Sequence, residues 1–192
     1  MNPLTSTLLY KTLISFCTLG MVLSAASQNL EADFKTAHEK FRQAVIAKDA
    51  EQLKAALSAS AYMTMKNEGI DSDMDFPKDF FESMFGQFHS RLQLSKLKTL
   101  RAVEKNNTGV LIMFAAKSIR FDPFGMGGDP EAILLALSFT KEGSTWKYET
   151  SHMEFLSDED EIKIKKNDLS KLEEDKFKPT GVVPPVPALH KK

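Results

Sequence analysis

Two segments of the sequence, residues 110–116 and 132–139, are apolar at almost every position. Successive side chains of a β-strand point to opposite faces of the sheet, so a half-exposed strand alternates apolar with polar residues. In these two segments both alternating sets of positions are mostly apolar. A strand that is apolar on both sides has to be covered on both sides. This requirement limits the chain to folds in which a sheet is buried on each face.

The two segments belong to a predicted run of four strands. Turn sequences such as KNNTG and KEGS lie between strands, and no helix is predicted within the run. Strands that follow one another in this way pair antiparallel, so the pattern predicts a four-stranded meander. The predicted strands cover residues 93–104, 110–119, 132–140 and 145–156.

A pair of helices is predicted ahead of the sheet. The first has an apolar stripe at helical spacing, with hydrophilic residues on its other side. Asp49 suits the N-cap of the second helix, and Gln52 can reach back to it as in a capping box. The stripe of the first helix consists of Leu30, Phe34, Ala37, Phe41 and Val45. The buried side of the second consists of Leu53, Ala56 and Leu57.

A short strand and a third helix are predicted to follow. Alternation in residues 61–66 and a turn signal at 67–69 predict the strand. Pro77 is well placed to begin the helix, because the first turn does not need its missing amide. Gly86 costs about 1 kcal/mol relative to alanine, so this helix is open to a break. Its apolar stripe consists of Phe81, Met84, Phe85, Phe88 and Leu92.

This order of elements predicts an α+β domain in which three N-terminal helices pack on a curled, mostly antiparallel sheet. Three short helices are too few to cover both faces of the sheet. A partner subunit or the C-terminal tail would cover the second face, and a sheet curled strongly enough to bury itself is the alternative. We expect a homodimer through this face, because a wet face would expose a large apolar patch.

The N-terminus has the pattern of a secretory signal peptide. Lys11 is followed by an apolar run, residues 12–23, and by the small residues 24–27. The run is shorter than the roughly 20 residues of a membrane span, although an uncleaved anchor is the alternative. Cleavage after Ala26 or Ser27 would give an exported protein, periplasmic or extracellular, without a membrane segment.

Removal of the leader, residues 1–26, leaves a chain without cysteine. The mature chain then has no disulfide and no thiolate nucleophile or metal ligand, so a packed core has to stabilise it. It carries 24 basic and 26 acidic residues, a formal charge of −2, which argues against nucleic acid as a partner. The sequence contains no glycine-rich nucleotide motif and no metal-ligand spacing, so no cofactor or metal is expected.

Residues 157–192 differ in composition from the predicted domain, residues 27–156. Ser157, the acids that follow it and the later lysines predict a short charged helix. Four prolines in residues 179–192 predict an extended tail, which is either disordered or docked on the domain.

The stretch AHEKFRQAVIAKDAEQLKAALSASAYMTMKNEG, residues 37–69, resembles the opening of NTF2-like domains, the superfamily of SnoaL-like proteins and ketosteroid isomerases. The resemblance covers about residues 30–156 and is one of pattern. It implies a cone in which the sheet curls around the helices and encloses a pocket, with dimers formed through the outer face. The tyrosine and aspartate of the isomerases would fall on Phe41 and Met65, which cannot transfer protons, so that reaction is not expected.

The resemblance implies an internal pocket, which we expect to be mainly apolar and to bind a small apolar ligand. The expected lining residues are Phe41, Met63, Met65, Phe81, Phe88, Met113 and His152. Convergent ionisable groups would instead indicate a SnoaL-like enzyme of isomerase, cyclase or hydrolase type. The candidates for its chemistry are Tyr62, His89 and His152.

The connection between the two apolar strands is longer than a hairpin requires. Residues 120–130 contain three glycines and two prolines, together with Phe121, Phe124 and Met126. Long loops in compact domains are often functional. These side chains are expected to form a lid over the pocket or a contact with a second subunit, and a passive plug on the rim is the alternative.

The sequence therefore predicts an exported NTF2-like module that binds a ligand or associates with itself, without catalysis. The SnoaL-like enzyme and a structural partner protein that uses its tail are the alternatives.

Overall fold

The computed structural model describes residues 29–67, 75–120, 122, 127 and 129–166. Helices precede and follow a curled four-stranded antiparallel sheet, which confirms the predicted α+β class. The helices are α1 (29–47), α2 (Ala50–Ala56), α3 (Ala59–Asn67), α4 (Lys78–Glu82), α5 (Met84–Arg91) and α6 (Asp158–Lys165). The strands are β1 (Lys98–Lys105), β2 (Thr108–Ala115), β3 (Ala132–Glu142) and β4 (Thr145–Leu156).

The strands lie in the order β1-β2-β3-β4, each antiparallel to the next, which confirms the predicted meander. The first hairpin turns at Asn106 and Asn107, both with positive φ, which asparagine tolerates better than most residues. The last hairpin turns at Gly143, also with positive φ. β2 ends at Ala115, before the predicted end of the strand, and residues 117–119 form a 3-10 turn.

Both faces of the sheet are covered, as the two apolar strands require. The inner face packs on the helices in one core cluster, which includes Leu111 and Leu137 of the sheet and Phe34 of α1. The outer face forms a second cluster, to which α6 contributes Ile164. Helix α6, which follows the meander, thus covers part of the outer face. The sequence had predicted that a partner subunit, the tail or the curled sheet itself would cover this face. The outer cluster consists of Val110, Ile112, Phe114, Ala116, Ala132, Leu134, Ala136 and Ile164.

Polar contacts fix α6 beside the end of β2. Ser157 caps the helix, as predicted, by accepting a hydrogen bond from the Asp160 amide at 3.2 Å. The buried Glu161 carboxylate accepts the Lys117 amide at 3.1 Å, and the Lys117 ammonium pairs with Asp158. The Lys117 amide is therefore bonded to α6 and not to a strand, which explains why β2 is shorter than predicted.

The break between α1 and α2 lies where the sequence predicts it. Lys48 has a positive φ of 53°. Asp49 Oδ1 accepts the amides of Glu51 and Gln52, each at 3.0 Å. The Gln52 side chain donates to Asp49 Oδ2 at 2.8 Å, which confirms the cap and gives a variant of the capping box.

We expect Asp49→Ala to lower the free energy of unfolding by about 1 kcal/mol, because two first-turn amides of α2 lose their acceptor. Asp49→Asn keeps an acceptor oxygen at the cap and should cost much less. Urea unfolding of the two variants measures the difference. Equal stability of the alanine and asparagine variants would contradict this role of the cap.

Residues 61–66, predicted as a strand, belong to α3 instead. Ser58 Oγ accepts the Ala61 amide at 3.0 Å and so caps the helix. Ala61 is buried in this helix, whereas Met63 is half exposed. The strand prediction is wrong because six residues are too few to separate a period of two from a helical period, and the cap decides between them.

The third predicted helix is divided into α4 and α5 at Ser83. Ser83 Oγ accepts the Gly86 amide at 3.0 Å and donates to the Phe80 carbonyl at 2.6 Å. A Cβ on Gly86 would lie 2.3 Å from the Phe80 carbonyl oxygen. The break thus lies near the glycine, and the glycine is needed because the backbone of α4 approaches it closely.

Several predictions fall outside the described residues. They concern the leader at 1–26, the loop side chains Phe121, Phe124 and Met126, and the proline-rich tail at 179–192. Of the helices in the described residues, none combines the length and apolar character that a membrane crossing needs.

Candidate functional site

A row of buried polar side chains, which we call the polar chain, connects α1, α5 and β4. His38 Nε2 on α1 lies 3.3 Å from His89 Nδ1 on α5. His89 Nε2 lies 3.1 Å from the Tyr148 hydroxyl and 3.4 Å from Ser151 Oγ, both on β4. His38, His89 and Tyr148 have no exposed surface, so these three side chains are sealed inside the core.

The local sequence explains why these side chains point inward. His38 lies one helical turn before Phe41 on the apolar side of α1. His89 lies one turn after Phe85 on α5, and their ring centroids are 4.4 Å apart. Tyr148 stacks on Phe41 with centroids 4.3 Å apart, so aromatic rings surround the polar chain.

The hydrogen bonds of the polar chain can run in two directions, because a neutral imidazole has one donor and one acceptor nitrogen. In one direction His38 Nε2–H donates to His89, and His89 Nε2–H donates to Tyr148. The Tyr148 hydroxyl then accepts from His89 and is also in hydrogen-bond contact with Ser151. The reverse direction leaves a buried Nδ1–H on His38, whose Nδ1 has no partner among the described residues. The first direction is favoured, because an unpaired buried acceptor is better tolerated than an unpaired donor.

Burial keeps the polar chain uncharged near neutral pH. Burial, with a smaller contribution from Arg42, lowers the pKa of His38 to about 3. Burial and the adjacent His38 hold the pKa of His89 well below its ordinary value. Burial also raises the pKa of Tyr148 well above its ordinary value, although the hydrogen bond with Ser151 acts in the opposite direction. Each shift has the sign expected for a group whose charged form is desolvated.

The polar chain is poorly placed for acid-base catalysis on a substrate from solution. A general base has to reach the proton that it removes, and neither imidazole has an exposed surface. In the part of the chain that the structure describes, no three His, Cys, Asp or Glu side chains lie close enough to hold a metal ion. The arrangement connects three elements of the core by hydrogen bonds.

Five of the residues predicted to line an internal pocket lie in the inner core. Phe41, Phe88 and Met113 are buried, and Met65 and Phe81 pack against the same cluster while partly buried. Phe41 and Met113 have no exposed surface at all, which leaves no space beside them for a water molecule. In the structure these two residues are packed against protein atoms, and their role in lining a pocket stays a prediction.

Met63 and His152, also predicted to line the pocket, both lie on the surface. Met63 is 50% exposed on α3. His152 lies exposed on β4, because a β-bulge at Glu149 shifts the alternation of the strand. Tyr148 and Ser151 consequently both face inward, and His152 faces the other side.

The candidates for an enzyme, Tyr62, His89 and His152, are not brought together. The Tyr62 ring packs on Phe76 at 5.3 Å and lies below the Lys54 ammonium. His89 belongs to the polar chain, and His152 lies on the opposite side of β4. The partner of His89 is His38, which the sequence analysis did not select.

A groove of about 570 Å³ opens on the surface between α1, α2 and the start of β4. We call it the surface groove. Its deepest residues are Ala37, Ala56 and Trp146, which are nearly buried, and exposed polar side chains such as Lys40 and Gln52 form its rim. An apolar floor with a polar rim suits an amphipathic ligand.

The walls of the surface groove are fixed by contacts with the core. Trp146 packs edge to face on Phe34 of α1, with ring centroids 4.9 Å apart. The Lys147 ammonium donates to the Ala55 carbonyl in the last turn of α2, where a cation also complements the helix dipole. The groove is therefore a preformed feature of the packing of α2 and β4 against α1.

Sequence reasoning missed His38, Tyr148 and Trp146. His38 carries a usable signal, because it is a polar residue on the apolar side of α1, between Ala37 and Phe41. The positions of Tyr148 and Trp146 depend on how β4 packs on α1, which the local pattern does not contain.

Comparison of the chain with protein families, with curated proteins and with solved structures finds no match in any of the three.

Proposed function

We propose that this chain is an exported, non-catalytic binding module of NTF2-like type, which holds a small amphipathic ligand in the surface groove. The observation that carries the proposal is the contrast between the two sides of α1. On the inner side, His38 and Phe41 have no exposed surface. On the outer side, the surface groove of about 570 Å³ is open to solvent, and its volume is typical of ligand sites.

The order of elements supports the NTF2-like part of the proposal. Two helices joined by a sharp bend come first and a curled antiparallel meander comes last, an order similar to that of the superfamily. Helix α3 stands where the superfamily has a short strand, and the packed interior differs from its open cone. Export is supported by the leader sequence, and N-terminal sequencing of the protein recovered outside the cytoplasm tests it.

We expect Ala55→Trp to block the surface groove, because Ala55 is an exposed residue of its wall and an indole there would fill the space. Native mass spectrometry of the purified mature protein should show a bound small molecule, and the variant should lose it. Lys105→Trp, at the exposed end of β1, is the matched control and should retain it.

Two outcomes would contradict binding in the groove. One is a ligand that stays bound in the Ala55→Trp variant. The other is a wild-type protein that carries no ligand and whose melting temperature does not respond to a panel of amphipathic compounds.

A SnoaL-like enzyme is the second candidate, because His89 lies between His38 and Tyr148 in an order that could relay a proton. Such a reaction requires the aromatic side chains around the polar chain to move and admit a substrate. Diethyl pyrocarbonate labelling near pH 7 tests access. Labelling that spares His38 and His89 favours binding, whereas labelling of His89 in the folded protein favours the enzyme.

Self-association through the outer face of the sheet stays a prediction. Ile164 of α6 lies in the outer cluster, so a second copy would have to pack around α6 or displace it. Sedimentation velocity at micromolar concentration measures the state directly, and a monomer would count against this interface.

A further inference from the structure

The proposed binding groove makes no use of the polar chain, whose hydrogen bonds of 3.3 and 3.1 Å tie α1, α5 and β4 together. We call the place where these three elements meet the seam. One proton added to His38 or His89 places an unsolvated charge among aromatic rings. A second proton turns His38 Nε2 and His89 Nδ1 into donors that face each other, which breaks the bond between them.

The groups that face the histidine pair do not offset a positive charge. From α1 the charged group that acts on the pair is Arg42, which opposes protonation of His38. From β4 the facing groups are the neutral hydroxyls of Tyr148 and Ser151. Glu149, the neighbouring acid of β4, is bonded to a hydroxyl of β3 instead. Among the described residues of α5, the group facing the pair is His89 itself. No hydrogen bond in the described part of the chain joins either imidazole to a carboxylate.

We propose that His38 and His89 form an acid-operated latch, which holds the seam closed while both imidazoles are neutral and opens it when acidification protonates them. In the open seam, water solvates the two charges that the core excludes. The latch depends on the packing of the seam alone, so it operates whether or not the surface groove binds a ligand.

The direction of the effect follows from the numbers of bound protons. Both imidazoles have a lowered pKa in the closed form, so the open form binds more protons below about pH 6.5. Each imidazole then shifts the equilibrium toward the open form by about tenfold per pH unit, and the pair by up to about a hundredfold. For His38 this shift continues down to its pKa of about 3. Carboxyl groups ordinarily have pKa values of about 4, well below pH 6.5. A change in the equilibrium between about pH 6 and 5 therefore comes mainly from the histidines.

The single tryptophan of the chain reports on the seam. Trp146 of β4 packs on Phe34 of α1, so opening the seam exposes its indole to water and shifts its emission to longer wavelength. Urea titrations followed by this emission give the equilibrium constant for unfolding, which includes opening of the seam, at each pH. Between about pH 6 and 5 we expect this constant to rise several tens of fold. A rise of tenfold or less would overturn the proposal.

A double variant, His38→Phe with His89→Phe, removes both titrating groups and keeps two rings in the aromatic core. Its equilibrium constant should change less than about threefold over the same pH range. His152→Gln, on the exposed side of β4, is the control and should keep the wild-type rise. A full rise in the double variant, or its loss in the control, would overturn the latch. If the double variant does not fold, the wild-type measurement decides by itself.

Discussion

Gly109→Ala is expected to lower the free energy of unfolding by about 2–3 kcal/mol, because it forces a methyl group into a filled part of the core. A Cβ at this position of β2 would lie 2.1 Å from Cζ of Phe34. Phe34 cannot move aside, since it is fully buried, stacked on Phe139 at 4.7 Å and packed against Trp146. Urea unfolding at neutral pH measures the loss.

The Phe34→Leu substitution tests the mechanism of that loss. It removes the ring that the new methyl group would meet, so the double variant should be more stable than the sum of the two single losses predicts. Gly143→Ala is the control, because no atom lies within 4 Å of its added Cβ and only its positive φ opposes the change. It should cost about 1–2 kcal/mol. Additive losses at Gly109 and Phe34 would contradict the close contact.

Phe41→Ala is expected to cost about 3–5 kcal/mol, the largest loss that we predict for one side chain. Phe41 has no exposed surface, stacks on Tyr148 with centroids 4.3 Å apart, and meets the His89 ring edge to face at 5.0 Å. Its removal leaves a cavity beside the polar chain. Thermal and urea unfolding at neutral pH measure this loss. Both histidines are uncharged in the folded protein at that pH, so the loss reflects the missing packing contacts.

Two other substitutions in α1 show whether this loss comes from the ring. Phe41→Leu retains part of the buried volume and should cost less than the alanine variant. Ile46→Ala removes a side chain of the same helix that is 47% exposed, so it should cost less than about 1 kcal/mol. A loss at Phe41 no larger than that at Ile46 would contradict the position of Phe41 in the core.

The elements that could be predicted are those whose apolar residues repeat at the spacing of a strand or a helix. The apolar positions of residues 110–116 and 132–139 predicted both the strands and their cover on two faces. The identity of the outer cover could not be predicted, because Ile164 is one buried side chain in a highly charged helix. Residues 61–66 were assigned to a strand because the deciding contact, the cap at Ser58, is invisible to a pattern of alternation.

The candidate site was less predictable, because a single β-bulge decides which side chains of β4 face the core. Glu149 is the extra residue between Tyr148 and Thr150 in the pairing with β3. Without it, strict alternation would turn His152 inward together with Tyr148. One inserted residue reverses the direction of every later side chain, so Ser151 approaches His89 in its place. The sequence does not reveal such an insertion.

The two edges of the sheet bear on how the protein behaves at high concentration. β1 forms one edge, with a bulge between Thr99 and Arg101 and a further charge at Lys105. At the other edge, the Tyr148 carbonyl of β4 already accepts the Ser58 amide. Strands pair with another molecule most readily where an edge is long, straight and uncharged. Because both edges are interrupted in this way, we expect the folded protein to resist the edge-to-edge growth that begins amyloid-like fibrils.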